Sequence, residues 1–219
     1  MKFRSVFKFH PTIPITPWTA PSPWALSLHR LSVLTFGLII FGIGDALIIT
    51  SGLGSAPWTV LAQGLSIQTE LSIGTSTFII SVIVLLFWLP LSERPGFGTF
   101  ANIVVIALAL DFTLSLIQRP LSWLSQIAMV LAGICLVAIG SMFYLTCGLG
   151  AGPRDGWMTG IHHRWRIPIA RVRFSIEFTV LSLGWFLGGI VGVGTLLFAL
   201  LIGPAIALSC SVVAQLTSE

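Results

Sequence analysis

Apolar stretches about twenty residues long recur down this chain, over 29–51, 73–92, 98–118, 125–147, 169–189 and 194–215. A hydrocarbon core about 30 Å thick is crossed by about 20 helical residues rising 1.5 Å each. The composition leaves no other solvent for such stretches: 55% of residues are hydrophobic and 8% are charged, where a soluble domain carries roughly 25% charged residues. So few charges cannot cover a globular surface. The chain therefore reads as an all-α integral membrane protein with the lipid bilayer as its first partner, and not as an enzyme.

The net charge of +4 does not indicate nucleic acid, because the basic residues are clustered. Lys2, Arg4, Lys8 and Arg30 lie before or at the first stretch, and Arg154, Arg164, Arg166, Arg171 and Arg173 fall in one later segment. An excess of Lys and Arg in cytoplasmic loops produces this clustering. Cys135, Cys147 and Cys210 lie in or beside apolar stretches without C-x-x-C spacing, which gives neither a disulfide framework nor a metal site. Pro11, Pro14, Pro17, Pro21 and Pro23 break the start of the chain. With no apolar core and no cleavage site, residues 1–27 read as a disordered basic leader and not as a cleaved signal peptide.

Shifting the chain by 96 residues aligns it with itself. FGIGDALIITSGLGSAP (41–57) lies over VAIGSMFYLTCGLGAGP (137–153), so that Gly44, Thr50, Gly52, Leu53, Gly54 and Pro57 fall on Gly140, Thr146, Gly148, Leu149, Gly150 and Pro153. GFGTF (96–100) falls on GVGTL (192–196), and Phe78 on Phe174. Over 31–118 against 127–214 there are 21 identities without a gap, against about 8 to 10 expected from composition at roughly one in ten. The shared glycines and prolines weigh most, since they mark backbone events. Residues 28–120 and 121–219 are thus two tandem membrane repeats of a 96-residue unit.

Each unit opens with a long span and a Gly-Leu-Gly-x-x-Pro turn. A short segment follows, about 57–68 or 153–164, with proline at a helix's first position. About 12 residues make roughly 18 Å of helix, too short to cross, so these segments are expected to be interfacial or re-entrant. Two more spans close the unit. Three crossings per unit invert one copy relative to the other. With both termini cytoplasmic, every Lys and Arg except Arg119 then falls inside.

Charges at membrane depth cost several kcal/mol and normally face a bundle interior or a wet cavity. Asp45 and Asp111 lie within spans of the first unit, Glu177 lies within one of the second, and Arg154 and Asp155 follow its glycine turn. Arg173 and Glu177 are four apart and can pair along one helix face. One reading makes Arg154, Asp155, Arg173 and Glu177 a substrate site, with Asp45, Asp111 and Glu177 coupling an ion. The other makes the four an ion-pair network fastening the short helix to the bundle. Both turns, Gly52, Gly54 and Pro57 with Gly148, Gly150 and Pro153, either line the site or only turn the chain, because irregular backbone at membrane depth must be buried in protein or border a cavity. The pair His162 and His163 beside Arg164, Trp165 and Arg166 reads as an interfacial belt and not as a metal site. No cofactor motif and no hydrolytic set is present.

GLGAGPRDGWMTG (148–160), the R-x-R-x-x-x-E of 171–177 and GGIVGVGTLLFALLIGP (188–204) resemble the YczE-type bacterial membrane proteins, grouped with YyaS and YitT proteins. The resemblance covers about 30–210 and implies a multi-pass protein of the bacterial inner membrane. Where that family often has Pro-Trp-Asp, this chain has Pro57-Trp58-Thr59, so the acidic position is not doubled. The leading functional expectation is a small secondary transporter or substrate-binding subunit for a small polar, anionic solute. The alternative is a non-transporting assembly or regulatory factor, acting as a homodimer or with a membrane protein partner, for which Gly188, Gly189, Gly192 and Gly194 would form a packing face.

Overall fold

A computed structural model describes residues 13–217, and all regular structure among them is helical. The helices are α1 (Leu28–Ser51), α2 (Pro57–Thr69), α3 (Ile73–Leu86), α4 (Phe97–Leu116), α5 (Trp123–Thr146), α6 (Pro153–Trp165), α7 (Ile169–Phe186) and α8 (Val193–Thr217), with a single 3-10 turn at Leu89–Leu91 after α3. Serines start three of them: the side chains of Ser27, Ser72 and Ser122 accept backbone N–H groups of the first turns of α1, α3 and α5, which otherwise lack partners. Proline opens α2 and α6, where its missing N–H costs nothing.

Five helical segments are long and apolar enough to cross a bilayer: α1, α3 with its 3-10 turn, α4, α5 and α8. Six crossings are expected from the sequence. The remaining candidate, α7, has 18 residues but carries Arg171, Arg173 and Glu177 in its first half. The crossing helices are apolar nearly all round. On α4, Phe100, Val104, Leu108, Phe112 and Leu116 form an exposed stripe at four-residue spacing, the pattern of a face that meets lipid.

The helices α1 and α5 pack antiparallel at the centre. Gly37 lies on Gly140 and Gly44 on Gly133, with backbone so close that an added Cβ on Gly140 would stand 2.5 Å from the Gly37 carbonyl oxygen. Small residues allow such an approach in membranes. The two glycine turns then lock onto the opposite units. The Gly98 N–H donates to the Leu149 carbonyl at 2.7 Å, and the Gly194 N–H donates to the Leu53 carbonyl at 2.7 Å. Gly54 and Gly150 hold left-handed φ of 100° and 117° while abutting Gly192 and Gly96; a side chain there meets both strain and backbone. All eight described residues with left-handed φ fall in four pairs 96 residues apart: Gly52 and Gly148, Gly54 and Gly150, Glu70 and Arg166, Ser92 and Gly188.

The leader departs from expectation. Residues 18–20 are packed across the end of α5, whereas Lys2, Arg4 and Lys8 lie outside the described residues. The Trp18 indole N–H donates to Thr146 Oγ1 at 2.9 Å, the Thr19 hydroxyl to the Thr146 carbonyl at 2.8 Å, and the Ala20 N–H to the Cys147 carbonyl at 2.8 Å. The last carbonyls of a helix lack helical donors, and residues 18–20 supply them. Trp18 and Val213 pack on the same end of α5, so both described ends of the chain meet there.

Asp111 is a clamp between α3 and α4. Its carboxylate accepts the Gly74 N–H at 2.7 Å and the Ser72 hydroxyl, which joins the start of α3 to α4. Asp111→Ala is expected to lower stability by about 1–2 kcal/mol, the size of a lost helix cap. Thermal unfolding in detergent measures it, and an unchanged midpoint would contradict the clamp.

Candidate functional site

The Gly-Leu-Gly turn delivers α6 to the centre of the bundle. Its first carbonyl, of Pro153, accepts the Trp88 indole N–H at 2.9 Å, and the Trp88 ring covers Gly156. This wedge holds α6 away from α3. Ninety-six residues on, the place of Trp88 is taken by Gly184, whose backbone touches Leu61 so that α2 and α7 close tightly. The body of α2 is therefore closed tightly against α7, whereas α6 stands off from α3.

Beside α6 is a cavity of about 260 Å³, room for about eight or nine waters at their bulk share of about 30 Å³. Arg154, Asp155, Arg173 and Glu177 all line it, as do Pro57 and Pro153. The first residues of both short helices thus meet at one site, and helix N-termini carry partial positive charge. Within the cavity the groups are unequally partnered. Glu177 receives the Arg173 Nε–H at 2.9 Å, and Asp155 accepts the Tyr144 hydroxyl. Arg154 lies 5.2 Å from the centre of the Trp58 ring, a cation–π distance. Among the described residues no carboxylate comes within 4.0 Å of its guanidinium. Trp58 also lines the cavity, and its buried indole N–H has no hydrogen-bond partner.

Other residues singled out in the sequence lie elsewhere. Asp45 is 3% exposed, behind the lining, and accepts the Thr59 hydroxyl at 3.3 Å. Thr59 and Asp155 occupy the same place in their short helices, and each bonds back to the long helix before it. Asp111 lies outside the cavity, at the α3–α4 clamp. Gly52, Gly54, Gly148 and Gly150 do not border the cavity; they pack on Arg119, Gly192, Ala20 and Gly96 respectively. The packing face read in Gly188, Gly189, Gly192 and Gly194 is largely filled from within, because Gly189 lies on Val60, Gly192 on Leu53 and Gly194 on Gly54.

Three contributors went unread in the sequence. Trp58 and Trp88 look like ordinary apolar residues until the fold brings them to α6. Tyr144 left a signal: it is the chain's single tyrosine, and a hydroxyl inside an apolar span needs a partner.

A family model described as "Family of unknown function (DUF6198)" matches residues 28–211. An uncharacterized protein of Haemophilus influenzae is 50% identical over 93% of this chain and 94% of its own length. The uncharacterized membrane protein YczE of Bacillus subtilis is 32% identical over 76% of this chain and 79% of its own. The uncharacterized protein YyaS of the same organism is 28% identical over 74% and 82%. No solved structure matches. The chain is a multi-pass membrane protein that belongs to the DUF6198 family and is related to YczE and YyaS.

Proposed function

We propose that this protein is a small secondary transporter, or the substrate-binding subunit of one, that holds a small anionic solute at Arg154 and performs no catalysis. The observation that carries the reading is the guanidinium of Arg154, which lines a cavity shared by the first residues of two broken segments and has no carboxylate of the described residues within 4.0 Å. A cation so placed gains most from an incoming anion, since charge-assisted hydrogen bonds strengthen away from water. Discontinuous helices with N-termini at a central site are a recurring transporter device.

In this reading the halves, 28–120 and 121–219, are inverted copies with α7 as the sixth crossing. Support comes from the antiparallel α1 and α5, the reciprocal turn contacts and the four left-handed pairs. The lining adds to it, because Trp58 and Arg154, Thr77 and Arg173, and Ser81 and Glu177 are pairs 96 apart within one cavity. The basic residues gather at the end of the bundle where the described ends of the chain meet, whereas Arg119 lies on Gly52 at the other. That end is cytoplasmic by the positive-inside bias, in a bacterial inner membrane.

The test is uptake into proteoliposomes containing the purified chain, over a panel of small carboxylates, phosphate and sulfate, with zwitterionic and cationic solutes alongside. Saturable entry confined to anions is expected. A flat response to every solute would remove the transporter. Uptake of cations alone would remove the role of Arg154.

A further inference from the structure

The two units differ where their last helices meet. In the first, Asp111 ties α4 to the start of α3, and Gly74 lies directly on the Ala107 carbonyl. Ninety-six residues on, Ser72, Gly74 and Asp111 become Pro168, Ala170 and Ala207. The hydroxyl and the carboxylate of the clamp are gone, and a methyl stands where close approach needs glycine. Accordingly α3 packs on α4, while α7 packs on α2 and α6, α8 packs on α5, and no extensive packing joins α7 to α8.

This seam leads into the cavity. Arg173 and Glu177 of α7 line one side of it, and Phe198, Ile202 and Ile206 of α8 line the other. Arg173 is also 52% exposed, so the cavity reaches the outside beside α7. On the outer surface Phe174 and Phe178 of α7 and Leu196 and Leu200 of α8 are exposed, which sets the mouth of the seam against hydrocarbon. The wall chemistry is divided in the same sense: arginines from α6 and α7, and only apolar side chains from α8. A fully polar solute would leave the α8 wall in contact with nothing it can bind.

We propose that the solute is an amphipathic organic anion, a medium-chain carboxylate in its simplest form, and that it enters sideways from the bilayer between α7 and α8. Its carboxylate meets Arg154, and its chain lies along Phe198, Ile202 and Ile206. The inference rests on the anion site proposed above and deepens it by naming the solute class and the route. Medium-chain carboxylates dissolve in the bilayer, so a lateral mouth meets them at higher concentration than a mouth in water.

The full chain in nanodiscs is photolabelled with a diazirine analogue of decanoate, and labelled residues are mapped by mass spectrometry. Unlabelled straight-chain carboxylates from acetate to decanoate compete. Label is expected on the cavity residues of α7 and α8, and competition should strengthen about fourfold per methylene (about 0.8 kcal/mol per buried CH₂). Arg154→Gln should lose this labelling at least about tenfold, Arg154→Lys should retain most of it, and the exposed Arg171→Gln should be unaffected. Size-exclusion profiles establish that each variant is folded. If acetate competes as well as octanoate, or if label falls only on the lipid faces of α1 and α4, the lateral, amphipathic inference is overturned. In that case protection by acetate that disappears in Arg154→Gln leaves the anion site standing. If no carboxylate of any length competes, the anion site falls as well.

Discussion

Replacing Arg154 by glutamine is expected to weaken the proposed anion binding by about 10- to 150-fold and to leave the chain folded. The figure is the about 1.5–3 kcal/mol of a hydrogen bond to a charged group, converted to affinity. Glutamine keeps much of the length and the polarity but removes the charge. Arg154→Lys should lose less, because a point charge remains although the planar fork is gone. Isothermal titration in nanodiscs with the carboxylate that proteoliposome uptake selects gives both numbers. The same variant separates the two readings open at the level of sequence. Were Arg154 a member of a buried ion-pair network, removing it would strand a carboxylate and cost about 3–5 kcal/mol of stability. The structure shows no direct carboxylate partner, since Asp155 bonds Tyr144 and Glu177 bonds Arg173. A large fall in unfolding midpoint with unchanged affinity would return Arg154 to the network.

A second pair of substitutions should differ in their effect on stability. Gly140→Ala is expected to destabilise by about 1–3 kcal/mol, the range for overpacking, although alanine favours helix over glycine by about 1 kcal/mol. The new methyl would lie 2.5 Å from the Gly37 carbonyl oxygen and 2.7 Å from the Phe41 nitrogen, both backbone atoms that cannot swing aside. At Gly203 of α8 an added methyl meets nothing within 4 Å beyond its chain neighbours, and the gain of about 1 kcal/mol in helix preference is offset by the crowding that the following Pro204 imposes on a Cβ before it, so Gly203→Ala should be near neutral. Thermal unfolding of both variants in one detergent reads the difference. Equal shifts would mean that α1 and α5 are not held by their glycines.

Most of the helices could be read directly. Apolar runs of span length, the prolines at 57 and 153 and the 96-residue shift placed all eight elements close to their observed bounds, because in lipid the backbone must satisfy its own hydrogen bonds and leaves helix as the local choice. The gathering of Arg154, Asp155, Arg173 and Glu177 was legible too, since charges inside apolar segments have few places to go. Residues 13–27 were not, as the donors that hold them to α5 are ordinary Trp, Thr and Ala groups whose target lies over 120 residues away. Asp111 was ambiguous for a related reason. A carboxylate in a span has the same appearance whether it borders a cavity or caps a neighbouring helix.

The sequence by itself determined that this chain is a bundle of membrane helices with similar glycine-rich breaks 96 residues apart and its charges concentrated after the second of them, because solvent and backbone chemistry act residue by residue. Only the tertiary structure decided how tightly each short helix is packed, that Arg154 lines the cavity with no carboxylate of the described residues within 4.0 Å, and where two helices part. Those outcomes turn on single steric exchanges between units, Trp88 for Gly184 and Asp111 for Ala207, and a side chain's volume has no meaning until the surface opposite it is in place.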